Sequence, residues 1–358
     1  MTESRLFKPL KIGNMEVKHR IGMAPLTRLR AGESRVPNSL MKEYYSQRAS
    51  EPGTLLISEG TVVSLEAGGG FPGAPGIWND DQVSAWKEIT DEVHSKGSFI
   101  FSQLFAFGRN GDAELAKKEG IEVVGPSAIP PPGSTTIPRA LTTEEVQEKI
   151  QAFVTASKNA IAAGFDGVEI HGANGYLVDQ FIQDVSNQRT DAYGGSIENR
   201  SRFAYDMMKA VADAVGPERV GLRLSPWSTY QGMGMRDPIP QFSDVIVKVR
   251  QLNLAYLHLI EARVVGTEDV VCDQSLEFAY KLWDAPLLVA GGYKLVEALK
   301  LVDERHADKD IMVVFGRDFI ANPDLVYRFQ KGLELNPYIR QTFYTSGPVG
   351  YVDYPFAA

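Results

Sequence analysis

The chain has 358 residues, 44% of them hydrophobic, enough to enclose one large core. A formal charge of −8 and a pI near 5.3 speak against nucleic acid or an anionic membrane as a main partner, although an acidic shell can still hold a basic pocket for a small anion. Cys272 is the only cysteine, which excludes an internal disulfide and a thiolate zinc cluster. The amino terminus lacks the apolar core of a secretory signal, no window approaches the roughly 18 consecutive apolar residues of a membrane span, and the histidines lack the i, i+4 pairing of a helical metal site. The class that remains is a globular protein of a reducing compartment, expected in the cytoplasm.

Residues 5–18 carry two short apolar runs around Gly13-Asn14 and predict a β-hairpin, which in a barrel would plug the bottom. A first strand is expected over 21–25, running into Leu26 and Thr27, then a helix over 39–48 and a second strand over 54–59 that ends before Gly60. A glycine-rich loop (67–76) precedes a helix over 81–95, in which Val83, Trp86, Ile89 and Val93 have helical spacing. The third strand, 99–104, has Gln103 near its end. Residues 105–140 contain Pro130-Pro131-Pro132-Gly133 and predict a mostly irregular excursion or small cap, the kind of long loop that serves as a binding lid.

Thr142 with Glu145 three residues on is a capping box, opening a helix that Gly164 ends. The fourth strand, 168–170, delivers His171, and Gly172 and Gly175 are expected to turn the backbone so that His171, Asn174 and Tyr176 crowd into one volume. A helix over 197–215 leads to strand five (220–225, carrying Arg223), and a helix over 244–252 to strand six (255–260). Weakly helical 276–283 precedes strand seven (287–290), which ends in Gly291-Gly292. A helix over 295–305 precedes strand eight (311–315), which ends in Gly316-Arg317, and a last helix covers 323–331.

Eight short apolar strands alternate with helical segments, and none shows long in-out alternation, as expected of a parallel sheet buried on both faces. Eight is the number that closes a (β/α)8 TIM barrel, here one domain over 1–358 with 105–140 as its cap. An open doubly wound sheet is the alternative, but no Gly-x-Gly-x-x-Gly follows a first strand. In a barrel the residues past each strand share one rim: Pro25, Leu26, Thr27, Gly60, Gln103, His171, Arg223, Gly291, Gly292, Gly316 and Arg317. Amide and hydroxyl groups, a fixed cation and two late glycine turns suit a flat polar ligand bearing a phosphate. The glycines expose backbone N–H groups to the anion, and Arg317 adds a charge-assisted pair. Singly, Arg223 also reads as an ion-paired barrel arginine and the glycines as turns into helices; the joint pattern carries the argument. A phosphate-binding lyase or aldolase would want a Schiff-base lysine or metal carboxylates at strand ends, and neither stands there.

Several runs together carry a family resemblance: Leu6-Phe-Lys-Pro-Leu10, Met23-Ala-Pro-Leu-Thr-Arg28, His171-Gly-Ala-Asn-Gly-Tyr176, Asp191-Ala-Tyr-Gly-Gly-Ser-Ile-Glu-Asn-Arg200, Ala290-Gly-Gly292 and Phe315-Gly-Arg317. In these the chain resembles the Old Yellow Enzyme family of FMN-dependent ene-reductases over nearly its whole length, and within it the fungal branch that includes chanoclavine aldehyde reductases and isomerases. The resemblance implies one non-covalent FMN at the barrel mouth. Pro25, Leu26, Thr27, Gly60, Gln103, His171 and Arg223 would hold its ring and ribityl chain, and Gly291, Gly292, Gly316 and Arg317 its phosphate. It also implies reduction of an alkene conjugated to a carbonyl, with NADPH or NADH as hydride donor in alternation with the alkene at one site. His171 and Asn174 would donate to the carbonyl oxygen, and Tyr176 would give the proton to the α-carbon. A flavin-dependent isomerase or hydride shuttle, and a non-catalytic FMN-binding protein, are the alternatives. Phe105 replaces a tryptophan common in relatives, Gly70 falls where some place a tyrosine gate, and Tyr230 stands where a phenylalanine is familiar. With Tyr344, these are expected in the substrate wall. The oligomeric state implied is monomer or homodimer.

Overall fold

The computed structural model describes residues 3–67, 71–266, 268–270 and 272–357. Eight parallel strands, β1 (Ile21–Met23), β2 (Leu55–Ile57), β3 (Phe99–Phe105), β4 (Gly167–Gly172), β5 (Val220–Leu224), β6 (Tyr256–Ile260), β7 (Leu287–Ala290) and β8 (Ile311–Phe315), pair in chain order. β8 returns to β1, Val313 facing Ile21 and Phe315 facing Met23, so the sheet closes into the expected TIM barrel.

Successive strand residues point to opposite faces, and each set finds a different core. Val168, Ile170, Leu222, Leu224, Leu257 and Leu259 face outward and pack with the surrounding helices. Inward-facing Leu55, Phe101, Tyr256, Leu288 and Met312 instead join Leu10, Ile12, Met15 and Val17 of the amino-terminal hairpin. That hairpin pairs Leu10–Ile12 with Met15–Val17 in antiparallel register and plugs the bottom of the barrel. Its turn fits because residue 13 has no side chain: Gly13 has φ +54°, and a Cβ there would lie 1.9 Å from the carbonyl oxygen of Glu218 at the foot of β5. One rung higher the inward side chains become polar, at Gln103, Glu169, Arg223 and His258. Their register is fixed by the pairs Gln103–Glu169, Arg223–His171 and Arg223–His258.

The helices Ser39–Arg48, Asp80–Ser95, Thr143–Ala162 and Ile197–Val215 follow their sequence signals, and the capping box of Thr142 and Glu145 forms in both directions. Differences from expectation have identifiable causes. The helix expected from 244 begins at Pro238 and runs to Arg250, because prolines are tolerated in a first helical turn, whose N–H groups have no intrahelical partner. The helix Leu295–Lys300 passes into a π turn over Leu301–Arg305. The last helix is Leu325–Lys331, preceded by a short one at Arg317–Ala321. Residues 105–140 are less irregular than expected. They contain the helix Ala113–Glu119, ended by Gly120 at φ +72°, and the two-residue strands Val124–Gly125 and Arg139–Ala140, which pair with each other.

Phe101 fills the space between the plug and Tyr256, with ring centroids 5.4 Å apart. Phe101→Ala is expected to cost about 3–5 kcal/mol by opening a cavity there. The measurement is a lowered urea midpoint with unchanged slope.

Candidate active site

The polar rung is built on a buried carboxylate. Glu169 has no solvent exposure and accepts hydrogen bonds from Gln103 Nε2 at 2.7 Å and Tyr256 Oη at 3.1 Å, with His258 Nδ1 at 2.8 Å. Burial alone would push this carboxyl up. His258, Arg223 and the Gln103 amide outweigh it and hold it below the usual range, so it is an anion. Burial holds His258 below its ordinary value, which makes it a neutral donor to Glu169. Arg223, in the next strand, is buried, and its Nε has no hydrogen-bond partner among the described residues.

His171 lies in the last rungs of β4, since the strand continues to Gly172. Gly172 therefore serves close packing: a Cβ there would lie 3.0 Å from the Arg223 carbonyl oxygen. The turn itself is made by Asn174 at φ +57° and Gly175 at φ +76°. The Asn174 N–H donates to Ser225 Oγ at 2.9 Å, and the Gly175 N–H donates to Asp179 Oδ2 at 2.8 Å. Asp179 belongs to the short helix Leu177–Ile182, which sequence periodicity missed because six residues are too few to show a helical face.

This turn brings Tyr176 back beside His171, with ring centroids 5.0 Å apart, and Phe105 supports the phenol edge-on at 5.1 Å. Burial, then the charge of Arg223, holds His171 well below its usual value, so its ring is neutral, and its Nδ1 is buried with no hydrogen-bond partner among the described residues. Burial, then Tyr230 and Tyr344, raises the Tyr176 phenol, with the Gln231 amide opposing.

Pro25, Leu26, Thr27, Gln103, His171, Asn174, Tyr176 and Arg223 line one cavity with Tyr230, Gly291, Gly292, Gly316, Arg317 and Tyr344. Its volume is about 1270 Å³, open mouth included. Gly60 and Phe105 do not line it. A Cβ on Gly60 would lie 3.1 Å from the Phe105 ring, which stands behind Tyr176 and His171 as support. Gly70 lies outside the described residues.

The sequence reading also missed what holds the mouth. Arg28, fully buried at the end of the 23–28 run, donates from Nε to the Phe343 carbonyl at 3.1 Å and from Nη2 to that of Gly350 at 2.6 Å. Arg30 donates to the same Phe343 carbonyl at 2.8 Å. Together they pin the carboxyl-terminal segment that carries Tyr344 over the cavity. Arg109, from the excursion, donates to the carbonyls of Gln231 and Gly232 at 3.1 and 3.2 Å and fixes the loop bearing Tyr230. Arg28 and Arg30 flank an apolar Leu29, but Arg109 is followed by Asn110, Gly111 and Asp112, so nothing local marks it.

The family model described as NADH:flavin oxidoreductase / NADH oxidase matches residues 5–336. The chain belongs to the Old Yellow Enzyme family. It is 50% identical over 359 residues to chanoclavine-I aldehyde reductase fgaOx3 of Penicillium roqueforti, covering 99% of this chain and 97% of that one. It is 49% identical to a probable inactive dehydrogenase, easA, of Claviceps purpurea, covering 99% and 96%. Among solved structures it superposes on morphinone reductase with a TM-score of 0.91 at 39% identity, covering 99% and 96% of the two chains. On the old yellow enzyme homologue from Zymomonas mobilis it superposes with a TM-score of 0.91 at 41% identity, covering 98% and 99%.

Old Yellow Enzymes are FMN oxidoreductases, and the residues present fit that cofactor. The cavity reaches from Thr27 and Arg223 to the glycine rim. The orphaned Arg223 Nε and His171 Nδ1 are buried polar atoms that need a polar ligand. Gly292, at φ +68°, leaves its backbone bare where Arg317 stands, and Gly291, at φ +144°, lets the chain pass close to Glu261. The family match removes the flavin-free lyase alternative.

Glu169→Gln turns an amide N–H toward groups that themselves donate and leaves Arg223 without its compensating charge. The expected cost is about 3–5 kcal/mol, as for a broken buried ion pair, measured by denaturant unfolding.

Proposed function

We propose that the chain is an NADPH- or NADH-dependent reductase of C=C bonds conjugated to a carbonyl, working by a ping-pong cycle in which nicotinamide and alkene take turns at one site. The observation that carries this reading is the convergence of a neutral His171, Asn174 and a protonated Tyr176 on one cavity that fits FMN. Relatives named chanoclavine-I aldehyde reductase and NADP-dependent oxidoreductase lnbE, the latter from Aspergillus flavus and 49% identical, support an enal or enone as substrate and NADPH as donor.

Pro25, Leu26, Thr27, Gln103 and Arg223 would hold the flavin ring, and Gly291, Gly292, Gly316 and Arg317 the phosphate. FMN, when bound, supplies a relay of hydride from the nicotinamide to the alkene β-carbon. The chain's own residues do the rest. The imidazole N–H of His171 and the amide of Asn174 donate to the carbonyl oxygen, which gains negative charge as the β-carbon is reduced. Such donors act where charge develops and need no reorganisation, because the barrel wall and the 174–175 turn already fix them. Tyr176 then delivers its proton to the α-carbon. With its acidity suppressed by burial, the phenol is fully protonated at neutral pH, so the donor is always loaded. Tyr230 and Tyr344, 38% and 54% exposed, form the outer wall that admits or rejects a substrate skeleton.

Tyr176→Phe is expected to lower the rate of 2-cyclohexenone reduction about 10²–10⁴-fold while NADPH still bleaches the visible flavin spectrum at the wild-type rate. Full enone turnover by this variant would remove Tyr176 from the proton step, and no flavin spectrum in any preparation would remove the reading altogether. Asn174→Ala is expected to slow the enone half-reaction about 10²–10³-fold without affecting bleaching, the scale of one lost oxyanion donor. Product analysis completes the test. Saturated ketone formed one-to-one with NADPH consumed supports reduction, whereas double-bond migration without NADPH consumption moves the chain to the isomerase reading.

A further inference from the structure

The loop after β6 forms a small hairpin, Val264–Val265 pairing antiparallel with Glu268–Asp269, and it lies over the glycine rim. Its last residue makes a two-pronged contact with the rim's cation: Arg317 Nη1 to Asp269 Oδ2 at 2.9 Å and Arg317 Nη2 to Asp269 Oδ1 at 2.5 Å. Gly292 sits beneath both partners. A Cβ there would lie 2.9 Å from Asp269 Oδ1 and 3.3 Å from Arg317 Nη2. A carboxylate thus rests against a bare glycine turn and a guanidinium fork, with two oxygens on two N–H groups. That is how a phosphate binds to the same parts.

The surrounding charges sharpen the point. Lys294 pairs with Asp318 at 3.3 Å, and Arg340, from the carboxyl-terminal segment, pairs with Glu268 of the same hairpin at 2.9 Å. Each of these three cations near the rim is matched by a carboxylate. An arriving phosphate dianion therefore meets a neutralised guanidinium with a like charge beside it, and it gains the attraction of Arg317 only if Asp269 gives way. Asp269 is the one of the three carboxylates that contacts both Arg317 and Gly292.

We propose that Asp269 is an internal stand-in for the cofactor's phosphate, a specificity-determining residue that competes for Arg317 and limits how strongly this chain prefers FMN over riboflavin, which lacks the phosphate. The inference rests on the reading of Gly291, Gly292, Gly316 and Arg317 as the phosphate cradle. Its consequence is that cradle filling and hairpin position are linked. The hairpin is tied through Glu268 and Arg340 to the segment carrying Tyr344, so the cofactor's phosphate and the substrate wall share one set of ion pairs.

The test uses the full chain freed of flavin, titrated separately with FMN and with riboflavin and followed by quenching of flavin fluorescence. Asp269→Asn is expected to tighten FMN about threefold to fivefold, the scale of one partly exposed charge pair, and to leave riboflavin binding at the wild-type value. Unchanged or weaker FMN binding in Asp269→Asn overturns the proposal, as does equal tightening of both flavins. Glu268→Gln, one residue away on the same hairpin, should shift the FMN-to-riboflavin preference little. An effect equal to that of Asp269→Asn would make the change a general one of net charge and would also overturn it. Arg317→Ala separates the two levels of the argument. If it erases the FMN preference while Asp269→Asn does not increase it, the cradle stands and the role of Asp269 falls. If the preference survives Arg317→Ala, the cradle reading itself fails.

Discussion

The carboxylate of Glu169, buried in the barrel, is the constraint on which the rest of the site depends. An uncompensated carboxylate in such a place would cost several kcal/mol or take up a proton. Here three neutral donors from β3 and β6 converge on it, and Arg223 supplies the charge. The arrangement works because parallel strands place Gln103 beside Glu169, and His258 and His171 on either side of Arg223. Glu169 in turn makes Arg223 tolerable. A guanidinium whose Nε has no partner among the described residues is stable inside a barrel only with an anion nearby, and its field helps keep His171 neutral. One carboxylate thereby licenses a cation, and the cation sets the protonation state of a donor in the next rung.

The mouth is held differently. Arg28, Arg30 and Arg109 bond mainly to backbone carbonyls of distant loops. A guanidinium carries five donors in a rigid fork and can satisfy several carbonyls that an irregular segment leaves unpaired. Buried arginine therefore does for the loops 230–232 and 343–350 what ladder hydrogen bonds do for the strands. Arg48 extends the scheme, donating to Phe319, Ile320 and Tyr351 at 3.0, 2.6 and 3.2 Å, so the helix after β1 anchors both the rim after β8 and the carboxyl-terminal segment. Residues as far apart in sequence as Thr27 and Tyr344 meet at one cavity because these arginines fix the loops between them.

The strands were legible from sequence because each is a short aliphatic run with a polar or glycine residue at its end, and the count of eight then determined closure and the shared rim. Caps such as Thr142 with Glu145 were legible because a side chain and a backbone N–H three residues apart interact wherever the helix lies. What escaped were elements stabilised from outside: the six-residue helix after Tyr176, the first turn at Pro238, and the short strand pair inside 105–140. None of these has enough local periodicity to register. At the site, the polar residues past the strands were found by position, whereas Phe105 and Gly60 stand behind the cavity, and only packing could distinguish a wall residue from its support. The Asp269–Arg317 contact lay beyond reach because it joins two loops 48 residues apart.

The chemistry of the two donors follows from the same burial that made them hard to place. A protonated His171 would be a stronger hydrogen-bond donor, but it would be a second cation in a dry rung that already contains Arg223. The structure instead keeps a weaker donor whose charge does not vary near neutral pH. Tyr176 is treated in the same way from the other side. Its phenol, half-buried against Phe105 and Phe107, with Tyr230 and Tyr344 nearby, has its anionic form disfavoured, so the proton stays until a stronger base arises at the neighbouring carbon. Desolvation therefore keeps both groups neutral in the resting site, His171 by disfavouring the imidazolium and Tyr176 by disfavouring the phenolate. A residue that gives up its proton too readily would be discharged before substrate arrives, and burying the donors behind an apolar aromatic pair prevents that without another charged partner. The Phe105 ring, which takes no direct part in lining the cavity, thus contributes by the dry environment it creates.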